Sequence, residues 1–251
     1  MNSETVSHQR LDAHNSEVPV LCRSCETRHK GICGVLTPDQ LVMLSRHTVK
    51  QNLDPETHIV AEGETELRFS IIMNGVVKLS KLLANGRRQI VGLQFAPDFL
   101  GRPFSEYSNC EVEAATQVKL CSFPRVVLET LISKSPDLEH LLYQQASREL
   151  QEAQDWMLAL GRKTATEKVA SFIYFVAKRI DPEQMLASMP VQIVLPLDRQ
   201  GIADFLGLTI ETVSREITKL RQAGVIRSVN SRTMEIADLE RLDQFRETSM
   251  D

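Results

Sequence analysis

The sequence predicts an α+β protein, with an N-terminal antiparallel β-roll joined by a long helix to a C-terminal winged helix-turn-helix. Three observations predict this order. Short β-rich runs separated by Asn-Gly turns fill roughly residues 56–122, a helical heptad pattern follows Pro136, and two short helical patterns meet at Gly207. We expect a flexible tail at 1–20, a cysteine segment with the β-roll at 21–135, a dimerisation helix at 136–164 and the winged helix-turn-helix at 165–251.

The composition is that of a globular protein. The chain has 251 residues, 42% of them hydrophobic, which is enough for a buried core and one or two domains. The five cysteines are an odd number, and neither a signal-peptide pattern nor an apolar run of membrane length is present. We therefore expect a cytoplasmic protein with no membrane partner. The net charge of -4 means that any binding to nucleic acid must come from a local basic surface.

The N-terminal half is predicted to begin with one short helix and to continue in strands. In LTPDQLVMLSRHT, Thr37 is the expected N-cap and Pro38 the first helical residue, with Leu41, Met43 and Leu44 on the apolar side. The β-rich runs FSIIMNGVVKLSKLL, RRQIVGLQF and AATQVKLCSF follow. Their spacing predicts an antiparallel roll. The turns are expected at Asn74-Gly75, Asn85-Gly86 and Ala96-Pro97-Asp98.

Cysteines form a candidate metal site. Cys22, Cys25 and Cys33 stand close together in CRSCETRHKGIC, and Cys121 is a distant fourth candidate if the fold brings it near, with Cys110 as a competing internal thiol. Thiolate sulfur holds both zinc and iron-sulfur clusters, so the spacing alone leaves a structural zinc site and a cluster open. A thiol-disulfide enzyme is disfavoured because the βαβ context of a redox fold is missing. We find no other catalytic constellation in the sequence and expect no enzyme.

The long helix carries an apolar seam with spacings of four and three residues, which is the coiled-coil repeat. Charged residues occupy the opposite side. The seam could pack against the β-roll, but its position between two domains favours a homodimer helix, and its small residues would allow close approach. Its predicted interface residues are Leu142, Ala146, Leu150, Ala153, Met157 and Leu160.

The C-terminal part is predicted as a helix-turn-helix with a wing. In LDRQGIADFLGLTIETVSREITKLRQAGVI, the helices are expected over about 198–206 and 209–222, with a stop at Gly224. The second helix is the one that would enter the major groove, where Arg can bind guanine and Glu can accept from cytosine. VIRSVNSRTMEI predicts a hairpin turning near Asn230-Ser231. The candidate DNA-binding residues are Thr209, Glu211, Thr212, Ser214, Arg215 and Lys219 on the helix, with Arg227 and Arg232 on the wing.

With these motifs in view, the chain resembles the CRP/FNR family of bacterial transcription regulators along nearly its whole length. Within that family it is most similar to the FnrN and FnrL group of alphaproteobacteria. The similarity lies in CxxCxxxxxxxC with RHKGIC, in GRRQIVGLQFAPDFLGRP, in GRKTATEKVASF and in LGLTIETVSR. It implies a roll of the cyclic-nucleotide-binding type and an oxygen-labile 4Fe-4S cluster on Cys22, Cys25, Cys33 and Cys121.

The resemblance also implies how such a protein would act. The cluster-bearing form would be a homodimer that binds inverted repeats of TTGAT-type half-sites in double-stranded DNA, works with RNA polymerase and controls anaerobic or microaerobic genes. The alternative is a zinc-stabilised or cluster-independent constitutive regulator. No cyclic nucleotide is expected as ligand, because DFLGRPFSEYSNCEVEAATQ lacks the Gly-Glu and Arg-Ser/Thr-Ala pattern that binds a phosphate. Arg102 is the only arginine in this segment.

Overall fold

The computed structural model describes residues 18–23, 25–180, 190–230 and 232–247. The predicted α+β class is confirmed: strands dominate as far as Pro124, and helices follow. The first part contains the helices α1 (Val20–Arg23), α2 (Pro38–Ser45) and α3 (Arg125–Ile132). Its strands are β1 (Val49–Leu53), β2 (His58–Val60), β3 (Arg68–Asn74), β4 (Val76–Leu82), β5 (Arg88–Phe95), β6 (Phe99–Leu100), β7 (Glu111–Ala114) and β8 (Val118–Pro124).

The second part is mainly helical. Its helices are α4 (Pro136–Arg162), α5 (Ala165–Ile180), α6 (Arg199–Leu206), α7 (Ile210–Gln222) and α8 (Leu239–Arg246). Three short strands, β9 (Val191–Val194), β10 (Ile226–Ser228) and β11 (Thr233–Ile236), form one sheet in the order β10-β11-β9. No helix in the described part of the chain is long and apolar enough to cross a membrane.

The roll consists of two four-stranded sheets, with strand orders β1-β8-β3-β6 and β2-β7-β4-β5. β8 is a central strand, because it pairs antiparallel with β1 on one side and with β3 on the other. Phe69 and Phe123 lie opposite each other across β3 and β8 and are fully buried. Burial of such aromatic side chains removes a large apolar area from water, and this stabilises the roll.

The chain divides into two compact units. The first takes in the chain as far as Val77 together with Gln94–Glu149, and the second takes in Lys78–Leu93 and the chain from Leu150 onward. Val18 is half-buried against the core of the first unit, so the packed chain begins before the expected end of the tail at residue 20. The rest of that tail, residues 1–17, lies outside the described residues.

The predicted helix after Thr37 is confirmed, with one correction. Thr37 and Gln40 form a capping box, in which each side chain accepts a hydrogen bond from the other residue's backbone N–H. Leu41 and Leu44 are buried, but the expectation for Met43 was wrong: it is 36% exposed. Met43 is only one residue from Leu44, and adjacent residues on a helix point in different directions.

The long helix ends two residues earlier than predicted. α4 stops at Arg162, and Thr164 accepts a hydrogen bond from Glu167 N while Glu167 Oε2 accepts one from Thr164 N. This reciprocal pair is a capping box for a new helix, α5. The sequence TATE therefore starts a second helix where the heptad pattern alone would continue the first.

Candidate metal centre and DNA interface

Short turns fold the cysteine segment back on itself. Cys22 lies in α1, and Cys25 N donates to Cys22 O at 3.4 Å. One 3-10 turn, Glu26–His29, begins directly after Cys25, and another, Ile32–Val35, contains Cys33. The three cysteines of the predicted motif are thus connected by turns and not by extended chain.

Two glycines beside Cys33 permit this tight path. A Cβ atom at Gly31 would lie 3.1 Å from Pro97 O, and one at Gly34 would lie 3.2 Å from Arg28 O. Both distances are shorter than ordinary carbon–oxygen contacts, so a side chain at either position would push the segment away from its neighbours. Thr27 Oγ1 also donates to Met73 O at 3.4 Å, which ties the segment to β3.

The four cysteines predicted as ligands line one cavity. Cys121 stands in the central strand β8, where its register partners are Lys50 in β1 and Ile71 in β3. The cavity is lined by Cys22, Cys25, Thr27, Arg28, Cys33, Lys50, Ile71, Met73 and Cys121. The competing thiol, Cys110, lies just before β7 and is buried outside this lining. All five cysteines are free thiols.

Burial and crowding make these thiols weak acids. Burial raises the pKa of Cys22, and the neighbouring Cys25 raises it further. Burial, then repulsion from Cys121, Cys22 and Cys25, raises the pKa of Cys33. Burial and the nearby cysteines raise the pKa of Cys121 to about 11, against the lowering effect of Lys50 and a hydrogen bond with Thr48. Several thiolates close together are unfavourable in the metal-free site, but a bound metal cation would stabilise them.

A second group of metal-ligand side chains was not predicted. His58 on β2 lies 3.2 Å from a carboxylate oxygen of Glu111 and 3.5 Å from one of Glu113 on β7. The ligand atoms of the three residues lie within 4.8 Å of one another. The His58 side chain is 62% exposed, and exposed acidic groups are common in proteins without a bound metal ion.

The helix-turn-helix has the predicted limits. Asp198 caps α6 by accepting from Gly201 N at 2.8 Å, and Thr209 caps α7 by accepting from Thr212 N at 3.2 Å. Gly207 ends α6 in the left-handed conformation, with φ 62°. The inward face consists of Ile202, Phe205, Val213, Ile217 and Leu220, all buried, with Leu208 half-buried.

Most of the candidate DNA-binding residues on α7 are accessible. Thr209, Glu211, Ser214, Arg215 and Lys219 are exposed, and Thr212 is half-buried. Hydrogen bonds from its own backbone N–H and from Thr209 lower the pKa of Glu211, so this carboxylate stays ionised and can accept a hydrogen bond.

Glu216 is a polar residue of α7 that the sequence analysis missed. It is 6% exposed and accepts a hydrogen bond from Arg215 Nε at 3.2 Å. The signal was available in the sequence, because Glu216 falls between Val213 and Ile217 on the inward stripe. A charged residue at such a position requires a partner from another element.

The wing is formed by β10 and β11. Arg227 is exposed and pairs across the strands with Glu235, at 3.0 Å. Arg232 is half-buried, and its backbone N–H donates to Asn230 Oδ1 at 2.9 Å. The predicted turn residue Ser231 lies outside the described residues.

The middle of the apolar seam on α4 is exposed among the residues that the structure describes. Leu150 is 60% exposed and Met157 is 65% exposed, and Ala146 and Ala153 are exposed as well. The first seam residue, Leu142, is half-buried against the core of the first unit, and Leu160 is also half-buried. Packing within the described part of the chain therefore leaves most of the seam exposed to another partner.

The roll and the winged helix-turn-helix together define a DNA-binding transcription regulator with a separate N-terminal domain. The family model of the Crp-like helix-turn-helix domain matches residues 167–245, and the model of the cyclic nucleotide-binding domain matches residues 50–135. A "Probable transcriptional activator" of Rhizobium leguminosarum bv. viciae is 46% identical over 236 residues, which cover 94% of this chain and 97% of that protein.

One further relative and one solved structure are also similar to most of this chain. The transcriptional activator protein FnrL of Cereibacter sphaeroides is 34% identical over 90% of this chain and 93% of its own length. The solved structure of FixK2 from Bradyrhizobium japonicum superposes with a TM-score of 0.72 at 29% identity, covering 79% of this chain and 96% of that one. The chain belongs to the CRP/FNR family of transcriptional regulators, which confirms the resemblance found in its motifs.

Proposed function

We propose that this protein is an oxygen-responsive transcription regulator of anaerobic or microaerobic genes that acts in the cytoplasm. In this proposal it binds inverted repeats of TTGAT-type half-sites as a homodimer while it carries a 4Fe-4S cluster. The observation that carries the proposal is the convergence of Cys22, Cys25, Cys33 and Cys121 around one cavity in a chain that also contains a helix-turn-helix.

The donor set fits such a cluster. Four cysteine sulfurs are the ligands that a 4Fe-4S cluster requires, and the cluster would supply oxygen-sensitive redox chemistry when bound. Lys50 and Arg28 line the same cavity, and their positive charges oppose the burial that raises the pKa of Cys22, so they can balance part of the negative charge of ligating thiolates. Ile71 and Met73 add apolar lining that limits access of water to the sulfurs.

A zinc site is the second candidate, since the same four sulfurs could hold Zn²⁺ in a constitutive regulator. Anaerobic purification followed by visible absorption, iron and sulfide analysis separates the two. The cluster predicts a brown protein that contains iron and sulfide and bleaches in air. A colourless protein with one equivalent of zinc would overturn the oxygen-sensing proposal and leave the DNA-binding function in place.

The core of the first unit suggests a route from the cysteines to the dimer helix. Ile32 and Leu36, which flank Cys33, belong to the same buried cluster as Leu138 of α4. Leu142, the first residue of the seam, packs against this cluster. We propose that loss of the metal group loosens the N-terminal segment, weakens the packing of the first turns of α4 and shifts the balance from dimer to monomer. Allosteric couplings of this kind are typically about 1 to 3 kcal/mol.

At the DNA, we assign base contacts to α7 and phosphate contacts to the wing. Arg215 would bind the guanine of TTGAT and Glu211 its paired cytosine, with Ser214 on the same face. Thr209, Thr212, Lys219, Arg227 and Arg232 complete the proposed contact surface. RNA polymerase is the expected protein partner, because two relatives are named as transcriptional activators.

No cyclic nucleotide is proposed as effector, although the family model for the roll bears that description. The stretch that would grip the phosphate contains only one arginine, Arg102, which is exposed. Its backbone N–H donates to Glu66 Oε2 at 3.2 Å, so a carboxylate already lies beside this segment and would repel a phosphate.

A further inference from the structure

The carboxylate of Glu216 lies inside the DNA-binding unit and uses both of its oxygens. Its side chain is 9% exposed. Oε1 accepts a hydrogen bond from Arg215 Nε at 3.2 Å, and Oε2 accepts one from Thr166 Oγ1 at 2.7 Å. Burial of a charged group is costly unless such partners are present, so these two bonds are what make Glu216 tolerable on the inward stripe of α7.

The network keeps Glu216 ionised. Burial acts to raise the pKa of this carboxyl group, but the hydrogen bonds from Thr166 and Arg215 and the positive charges of Lys219 and Arg215 outweigh it, so the pKa is lowered. A charged acceptor forms shorter and stronger hydrogen bonds than a neutral one, and it therefore restrains Arg215 more tightly.

Thr166 connects a second candidate DNA-binding residue to the same network. It stands in the first turn of α5, just after the junction with α4. Its hydroxyl donates to Glu216 and accepts a hydrogen bond from Lys219 Nζ at 3.0 Å. One hydroxyl group on α5 thus restrains, directly or through Glu216, two cationic side chains of α7.

We infer that Glu216, held by Thr166, is a positioning residue that orients Arg215 for sequence reading. This inference rests on the proposed base contact of Arg215. The Nε–H group of Arg215 is engaged by Glu216, and its terminal N–H groups remain for the O6 and N7 atoms of guanine. A guanidinium group fixed before binding loses less conformational freedom on contact with the base. Without this restraint, Arg215 can swing to a phosphate, which carries no sequence information.

The test compares binding to two DNA duplexes with the intact protein, prepared without oxygen and titrated at one fixed salt concentration. One duplex is an inverted repeat of TTGAT half-sites, and the other carries an A·T pair in place of each G·C pair. The measured quantity is the dissociation constant for the A·T duplex divided by the dissociation constant for the TTGAT duplex. A residue with only a structural role changes both constants alike and leaves this ratio unchanged.

The variants are Glu216→Leu, Glu216→Gln and Thr166→Val. Leu removes the carboxylate and suits the apolar stripe, Gln keeps an acceptor oxygen, and Val removes only the hydroxyl group. We expect Glu216→Leu and Thr166→Val to reduce the ratio by about tenfold, which is within the range that one bidentate base contact supplies. Glu216→Gln should retain part of the wild-type ratio. Thr218→Val is the matched control, because the Thr218 hydroxyl bonds within its own helix to Ser214 O.

The outcomes separate this inference from the proposed function. A wild-type ratio in both Glu216→Leu and Thr166→Val, with a reduced ratio in Arg215→Ala, would overturn the positioning role and leave the base contact in place. A wild-type protein with no preference for G·C would overturn the base contact and, with it, the inference. If Glu216→Leu fails to fold, Thr166→Val alone decides, because it keeps the carboxylate at position 216 but removes the hydroxyl group that holds this carboxylate beside Arg215.

Discussion

Cys121 and Cys110 lie in the same domain, but the fold places their side chains in different surroundings. Cys121 is in β8, which is paired on both sides, and its side chain lines the cavity with the three N-terminal cysteines. Cys110 precedes β7 and is 5% exposed in the core. At the scale of the residue, the choice of a fourth ligand therefore depends on which thiol the sheet presents to the N-terminal segment.

The first prediction concerns this choice. Cys121→Ser should abolish the visible absorption and lower the iron content of anaerobically purified protein, because a hydroxyl group is a poor substitute for a thiolate ligand. Cys22→Ser, Cys25→Ser and Cys33→Ser should behave alike. Cys110→Ser is the matched control and should stay brown. A brown Cys121→Ser protein together with a colourless Cys110→Ser protein would show that Cys110, and not Cys121, is the fourth ligand.

The second prediction concerns pH in the metal-free protein. With the pKa of Cys121 raised to about 11, its alkylation rate, followed by mass spectrometry, should keep rising to about pH 11, because the thiolate is the nucleophile. From about pH 8.5, the ordinary thiol value, to about pH 11 the folded protein retains a proton that the unfolded chain has lost. The free energy of unfolding should therefore fall as pH rises through this window. A rate that levels off near pH 9 would contradict the shift.

At the scale of the element, local signals predicted some boundaries well and others poorly. α7 follows the N-cap Thr209, and Gly224 with φ 72° comes two residues after its end. β1 was missed because its residues are mostly exposed and polar, without the alternation that marks a half-buried strand. α3, with Leu128, Leu131 and Ile132 buried, was missed because it starts directly at the end of β8.

The third prediction tests the seam of α4. Met157→Glu should prevent dimerisation of the cluster-bearing protein, because an unpaired charge would be buried in the interface. Gln151→Glu adds the same charge on the opposite, exposed side of the helix and should leave the dimer intact. Anaerobic analytical ultracentrifugation measures both. A stable Met157→Glu dimer would remove this part of α4 from the interface.

The fourth prediction separates base reading from phosphate binding. Arg215→Ala should flatten the preference for the G·C pair at a cost of about 1 to 3 kcal/mol, whereas Arg227→Ala should weaken binding to all sequences alike. Titrations on single-base variants of the inverted repeat, at fixed salt and without oxygen, measure both effects. Unchanged discrimination in Arg215→Ala would mean that α7 lies in a different register on the DNA.

At the scale of the whole molecule, α4 is the element that both units share. Its first turns pack with the core that contains Ile32 and Leu36. Further along, Trp156 packs edge-on against Phe205 of α6, with ring centroids 4.7 Å apart. Trp156 precedes the seam residue Met157, so the helix that carries the seam also packs against the helix-turn-helix.

The fifth prediction concerns this coupling. Exposure to air should lower operator affinity by about 5- to 150-fold, the range of an allosteric coupling of 1 to 3 kcal/mol, and should increase the monomer fraction in parallel. Binding titrations and ultracentrifugation on the same sample before and after bleaching measure the two effects. Equal operator affinity in both forms would refute the proposed switch even if the cluster is present.

Local patterns in the sequence determined the helix-turn-helix, the caps at Thr37 and Thr209 and the heptad seam, because capping, left-handed glycines and apolar periodicity act within a few residues. Only the tertiary structure decided that Cys121 lies beside the N-terminal cysteines and that Glu216 meets Thr166. Both contacts join residues that are far apart in the chain. They depend on strand pairing and helix packing throughout each unit, which no local pattern specifies.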